Sequence, residues 1–186
     1  VAFVPYRKPG LLLTEAIAEQ MTDETRIFVL GNHGLIVAGE TVSAVAALMD
    51  DVEARLALPA RGHAGAPGSA PDGFTLVADA AALALDEHAL HLCQAGSYYP
   101  DHVVFLGPAL PSAPEEGRPA HIIPGVGAAI RGEATPAQRA MLTCLANVLS
   151  RLPADWTTAP IGPDAEAALL NWDAEKYRQA LAARNA

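Results

Sequence analysis

Apolar and polar positions along the chain change period several times, and each change predicts an element. Val1 to Val4 is a short apolar run that reads as a strand. Pro9-Gly10 then opens a helix whose apolar positions Leu12, Ala16, Ile17 and Met21 recur at three and four, and the polar stretch Thr22 to Thr25 ends it. Ile27-Phe-Val-Leu30 reads as a buried strand. The turn Gly31-Asn32-His33-Gly34 follows, and Leu35-Ile-Val37 reads as the antiparallel partner. Thr41 is placed to cap a helix running from about Val42 to Leu56, with Val45, Leu48, Val52 and Leu56 along one face.

From Pro59 to Gly73 the composition shifts to Ala, Gly, Pro and Ser without periodicity, which reads as an exposed linker. Beyond it, Ala80 to Ala95 has a helical pattern. Tyr99-Pro100-Asp101-His102 leads into Val103-Val-Phe-Leu106, a four-residue apolar run read as a strand, and a Pro-rich loop spans Pro108 to Pro119. The reading is therefore an α/β fold in three parts: an α/β domain over 1–58, a linker over 59–73, and a smaller α/β appendage over 74–186.

The appendage resembles the first domain in one place. Arg26 to Glu40 lies on Pro119 to Glu133 at a constant offset of 93, with strand, glycine-containing turn, strand, Gly-Glu and a long helix in the same order. Gly34 falls on Gly127, Gly39 on Gly132 and Glu40 on Glu133, while His33 falls on Val126. Either this is a degenerate repeat of the 26–40 hairpin or two short hairpins resemble each other by chance. If the turns are one device, the glycines serve the backbone and His33 is the position the fold does not require.

At 186 residues and 51% hydrophobic the chain can bury a core. Its 12 lysines and arginines against 21 aspartates and glutamates give a formal charge of -9, which argues against nucleic acid or a polybasic membrane contact as partner and requires a local basic patch for any anionic substrate. No apolar run approaches the roughly 20 residues that span a bilayer. Cys93 and Cys144 lie in apolar helical patterns with no second cysteine at metal spacing, so two buried thiols in a reducing cytoplasm are expected rather than a disulfide. The opening at Val1, directly in an extended apolar stretch, leads to the expectation that the natural start lies upstream.

The residues Val4-Pro5-Tyr6 before Pro9-Gly10, the following helix, the strand into Asn32-His33-Gly34, and the helix carrying Asp50-Asp51-Val52-Glu53 together resemble the class II aldolase and adducin family. The resemblance implies a mixed, largely antiparallel sheet flanked by helices. It also implies that His33 is one ligand of a mononuclear site for zinc or another divalent metal. In the family a His-x-His pair and a carboxylate complete that site from an earlier segment, and this sequence contains no His-x-His. Three protein ligands and an open position are the usual minimum for a catalytic zinc, so these residues alone should bind the metal poorly.

The implied activity is retro-aldol cleavage of a sugar phosphate or related hydroxy-carbonyl compound, in which a divalent ion stabilises an enediolate as a Lewis acid. Epimerisation or decarboxylation would use the same chemistry, and the adducin branch offers a non-catalytic binding or assembly module instead. The resemblance implies a small-molecule substrate and a homo-oligomer, a tetramer in the known aldolases. From Phe74 onward the chain looks like the C-terminal portion of longer members, with no assigned catalytic role.

Several residues carry two readings. Asn32 could contact a substrate oxygen or orient the metal site, or simply occupy a turn position with positive φ. Tyr6, Arg7 and Gly34 stand as substrate-contact candidates, and Arg7 with Lys8 offers either a phosphate contact or a solvated pair. His88 and His91, spaced i, i+3 beside Glu87, could reach one metal or end a helix favourably. His102 with Asp101 is expected in a partly exposed turn, His121 in a packed or edge strand, and His63 in the linker. Trp172 to Tyr177 reads as helix packing that closes the C-terminus. The catalytic acid and base are not among the residues this pattern identifies.

Overall fold

A computed structural model of the chain describes residues 1–65 and 68–184; Ala66 and Pro67 of the expected linker, and the last two residues, lie outside it. The chain divides into two units, Val1–Leu58 and Pro59–Ala186, each with its own α/β fold.

The first unit begins with β1 (Ala2–Val4) and α1 (Leu11–Gln20), followed by β2 (Ile27–Leu30), β3 (Gly34–Val37) and α2 (Val42–Leu56). Its sheet has the order β1-β2-β3. β1 and β2 are parallel, joined across α1, because a parallel pair needs a crossover connection, whereas β2 and β3 are antiparallel and need only a turn. Val4, Phe28, Leu30 and Leu13 form the core, so the face of the sheet carrying alternate residues of β1 and β2 is closed by α1. Thr41 caps α2 as expected: its hydroxyl accepts from the Ala44 backbone N–H at 3.2 Å.

The second unit contains β4 (Phe74–Leu76), a 3-10 turn at Ala78–Ala80, α3 (Ala82–Leu85), α4 (Glu87–Ala95), α5 (Pro100–Leu106), β5 (Ala120–Ile123), β6 (Gly127–Arg131), α6 (Pro136–Leu149), α7 (Pro163–Leu170) and α8 (Asp173–Arg184). Its antiparallel sheet has the order β4-β6-β5. Leu83, Leu92, Leu106, Ile122, Ile130, Leu142, Leu145 and Leu149 belong to one core that is more extensive than that of the first unit, so the part expected as a smaller appendage holds the larger core.

Two elements differ from the sequence reading. The single helix expected over Ala80–Ala95 is broken at Asp86, which adopts an extended conformation and caps α4 by accepting from the His88 and Ala89 backbone N–H groups. Its second oxygen accepts from Arg61 Nε at 2.8 Å, and the Arg61 guanidinium also donates to the carbonyls of Leu149 and Leu152. The segment after Pro59 is mostly exposed, yet Arg61 ties it to the end of α6. The run Val103–Leu106, expected as a strand, is the last turn of α5. Pro100 at the first helical turn and Gly107 after the last residue are helix boundary signals that the four-residue apolar run obscured.

Candidate functional site

The turn between β2 and β3 is closed by a hydrogen bond from His33 N–H to the Leu30 carbonyl at 3.1 Å. Asn32 occupies the left-handed region at φ 54, a conformation that asparagine tolerates better than other non-glycine residues. The backbone reading of Asn32 is thus observed, and Asn32 is half-buried. Gly31 donates to the Val4 carbonyl at 2.8 Å, and a Cβ at Gly31 would stand 3.1 Å from the Tyr6 nitrogen and 3.3 Å from the Phe3 ring. The missing side chain therefore lets the turn lie against the segment that leaves β1. As a result the Tyr6-Arg7 segment and the Asn32-His33-Gly34 turn share one end of the sheet, beyond the carboxyl ends of the parallel strands β1 and β2.

His33 and Gly34 are exposed there. Tyr6 is half-buried; its hydroxyl is buried with no hydrogen-bond partner among the described residues, and burial pushes its pKa above the ordinary tyrosine value. Arg7 is exposed and donates to the Tyr6 carbonyl at 3.2 Å. Among the described residues no group of three His, Cys, Asp or Glu side chains gathers in one place. His33 alone is not a donor set that fits zinc, which takes about three protein ligands in a catalytic site.

The remaining sequence candidates separate into packing and surface roles. His88 is half-buried and His91 exposed, and the described residues bring no third ligand to them. His102, expected in a partly exposed turn, is fully buried on α5. Its Nδ1 accepts from the Tyr98 backbone N–H at 3.4 Å, its Nε2 has no partner among the described residues, and burial, with the nearby Arg118 charge, lowers its pKa to about 4. Asp101 pairs with Arg178 of α8, whose guanidinium lies over the Phe105 ring at 5.2 Å from the centroid and reaches Glu175 at 2.7 Å, which docks the C-terminal helix on α5.

His121 is buried on the edge strand β5, edge-on to the Phe74 ring at 4.6 Å between centroids. His63 is exposed. Both cysteines are free, but only Cys93 is buried, with its thiol pushed up to about 12 by desolvation; Cys144, expected inside, is exposed on α6.

The hairpin at Ala120–Arg131 makes the same bonds as the first. Val126 N–H donates to the Ile123 carbonyl at 2.9 Å, Gly125 takes the left-handed position at φ 74, and Ile123 pairs with Gly127 as Leu30 does with Gly34. Arg131 N–H bonds the Pro119 carbonyl as Ala38 N–H bonds that of Arg26, each at 2.8 Å. The third strand differs: β1 joins the first hairpin on its leading strand, and β4 joins the second on its trailing strand. The second turn is also covered, since Gly68 N–H donates to the Val126 carbonyl and Gly125 N–H to that of Ala84.

Two arginines with defined positions had no signal in the local pattern. Arg61 and Arg118 both satisfy backbone carbonyls remote in sequence, so no helical or strand period marks them.

Residues 1–58 match the family model of the Class II Aldolase and Adducin N-terminal domain. No curated protein and no solved structure matches the chain. No helix among the described residues is long and apolar enough to cross a membrane.

Proposed function

We propose, starting from residues 1–58 as a class II aldolase and adducin N-terminal domain, that the chain is part of a lyase acting on a hydroxylated carbonyl compound such as a sugar phosphate, with His33 contributing one ligand to a divalent-metal site whose other ligands lie outside these residues. The observation that carries this reading is the placement of His33. It is exposed on a turn whose Asn32 and Gly31 already satisfy the backbone, and a turn with the same bonds carries valine there, so folding supplies no reason for an imidazole at that position.

The neighbouring segment supports a substrate contact. The Tyr6 hydroxyl, which has no hydrogen-bond partner among the described residues, can donate to or accept from a sugar oxygen. Arg7 adds a cation at the same end of the sheet for a phosphate, in a chain whose formal charge is -9. The same reading makes the protein a cytoplasmic homo-oligomer. Because the residues in hand do not make a metal site, the cleavage steps and the acid and base are not assigned to them.

A metal-free binding module is the second reading, favoured by the absence of a three-ligand group among the described residues. Elemental analysis of the full-length polypeptide, purified with zinc in the medium, separates the two. The enzyme reading expects about one zinc per chain, lost in His33→Ala and retained in Asn32→Gly, which preserves the turn. No bound metal in the parent, or unchanged zinc in His33→Ala, overturns the ligand assignment.

A further inference from the structure

The second unit contains a cavity of about 460 Å³ lined by α5, by the segment around Arg118, by the start of α6 and by Leu170 and Gln179. Its chemistry is set by Arg118. A guanidinium carries five N–H groups and no acceptor. In Arg118, Nε donates to the Leu106 carbonyl at 3.1 Å, and Nη2 donates to the carbonyls of Pro108 at 2.8 Å and Ala109 at 2.9 Å. Three of the five are thus fixed on backbone, and the two on Nη1 make no hydrogen bond among the described residues.

The approach is close because residue 107 is glycine at φ 80; a Cβ there would stand 2.8 Å from Arg118 Cζ. The planar group is therefore held in one orientation before any ligand arrives, which lowers the entropic cost of binding to it.

The charge of Arg118 is also uncompensated at short range. Among the described residues no carboxylate lies within 4.0 Å of it, and Glu115 and Glu166 attract it only from farther away. The other polar lining includes Gln138, whose Oε1 is occupied by the Thr135 N–H. Phe105 and Leu170 line the cavity as apolar wall, and Leu170 is 37% exposed. A fixed cation with two free donors, beside an apolar wall in a space large enough for a small molecule, selects an oxyanion with a short apolar body.

We propose that this cavity is a binding site for a small organic anion, a carboxylate or phosphate monoester, whose oxygens accept from Arg118 Nη1 and whose body rests on Phe105 and Leu170. It is independent of the His33 site, and its failure or success leaves the reading of that site unchanged.

Thermal unfolding of the whole chain, titrated with benzoate and separately with phenyl phosphate against sodium chloride at equal ionic strength, tests it. A saturable rise in Tm with either probe is expected, and the probe that acts identifies the head group. Leu170→Glu places a carboxylate on the exposed wall without touching Arg118 and should weaken that response roughly tenfold. The Arg118 Nε–Hε resonance of the parent protein should shift on addition of the same probe. No stabilisation beyond sodium chloride by either probe, an unchanged affinity in Leu170→Glu, or an unmoved Arg118 resonance would overturn the proposal.

Discussion

His102 is a histidine whose chemistry is strongly altered by its surroundings. Fully buried on α5, with Nδ1 accepting from the Tyr98 N–H, it stays neutral down to about pH 4. An unfolded chain would protonate the same ring near its ordinary value of 6.5. Stability is therefore intact above about pH 6.5 and erodes as pH falls toward 4, because the unfolded state takes up a proton that the folded state refuses. Between pH 7 and pH 5 this costs about 2 kcal/mol. Urea unfolding at the two pH values should show the parent losing about that much more than His102→Gln, in which the titrating group is gone. Equal losses would show that the ring does not carry the acid sensitivity.

The same residue shows why part of the site map is hidden from the sequence. Its expected placement in a partly exposed turn follows from reading Val103–Leu106 as a strand; on the helix that Pro100 opens, tertiary contacts enclose the ring instead.

At the level of elements, the break at Asp86 has the clearest energetic consequence. A helical pattern from Ala80 to Ala95 fits one continuous helix by period alone, but the chain uses Asp86 as both a cap for α4 and the partner of Arg61. Arg61 joins the residues after Pro59, the cap of α4 and the terminal carbonyls of α6. Arg61→Met keeps the length of the stem but leaves Oδ2 of the 8% exposed Asp86 carboxylate and two carbonyls without their guanidinium donor. A loss of about 2–3 kcal/mol is expected, since removing one partner of a mostly buried pair strands the other charge. Chemical denaturation measures it, and a loss below about 0.5 kcal/mol, the usual range for a surface substitution, would mean that the cluster does not order these elements.

The strands flanking the His33 turn, the helix after it and its Thr41 cap were legible beforehand, because local period and capping chemistry decide them. The four-residue run at Val103 was not, since a short apolar stretch fits a buried strand and a buried helix turn equally.

Considered whole, the molecule distributes its core unequally. Residues 1–58 bury Val4, Leu13, Phe28 and Leu30 but leave Phe3 61% and Leu11 72% exposed, whereas 59–186 enclose a core spanning α3 to α6 and the second sheet. A 58-residue piece with so few buried side chains is near the limit of independent stability. Expressed separately, 59–186 should melt in one cooperative transition followed by circular dichroism. The piece 1–58 should show none at 25 °C, and a cooperative melt of that piece would contradict this division of stability.

By itself the sequence determined the α/β alternation, both glycine-containing hairpins and the kinship of residues 1–58, because period, turn chemistry and short motifs are local and each is written within a few consecutive residues. Tertiary structure alone decided which histidines are buried, which cysteine is exposed, how Gly31 brings the Tyr6 segment to the His33 turn, and where Arg118 holds its two free donors. Those outcomes depend on contacts between residues far apart in the chain, and desolvation and hydrogen-bond geometry act only once such contacts exist.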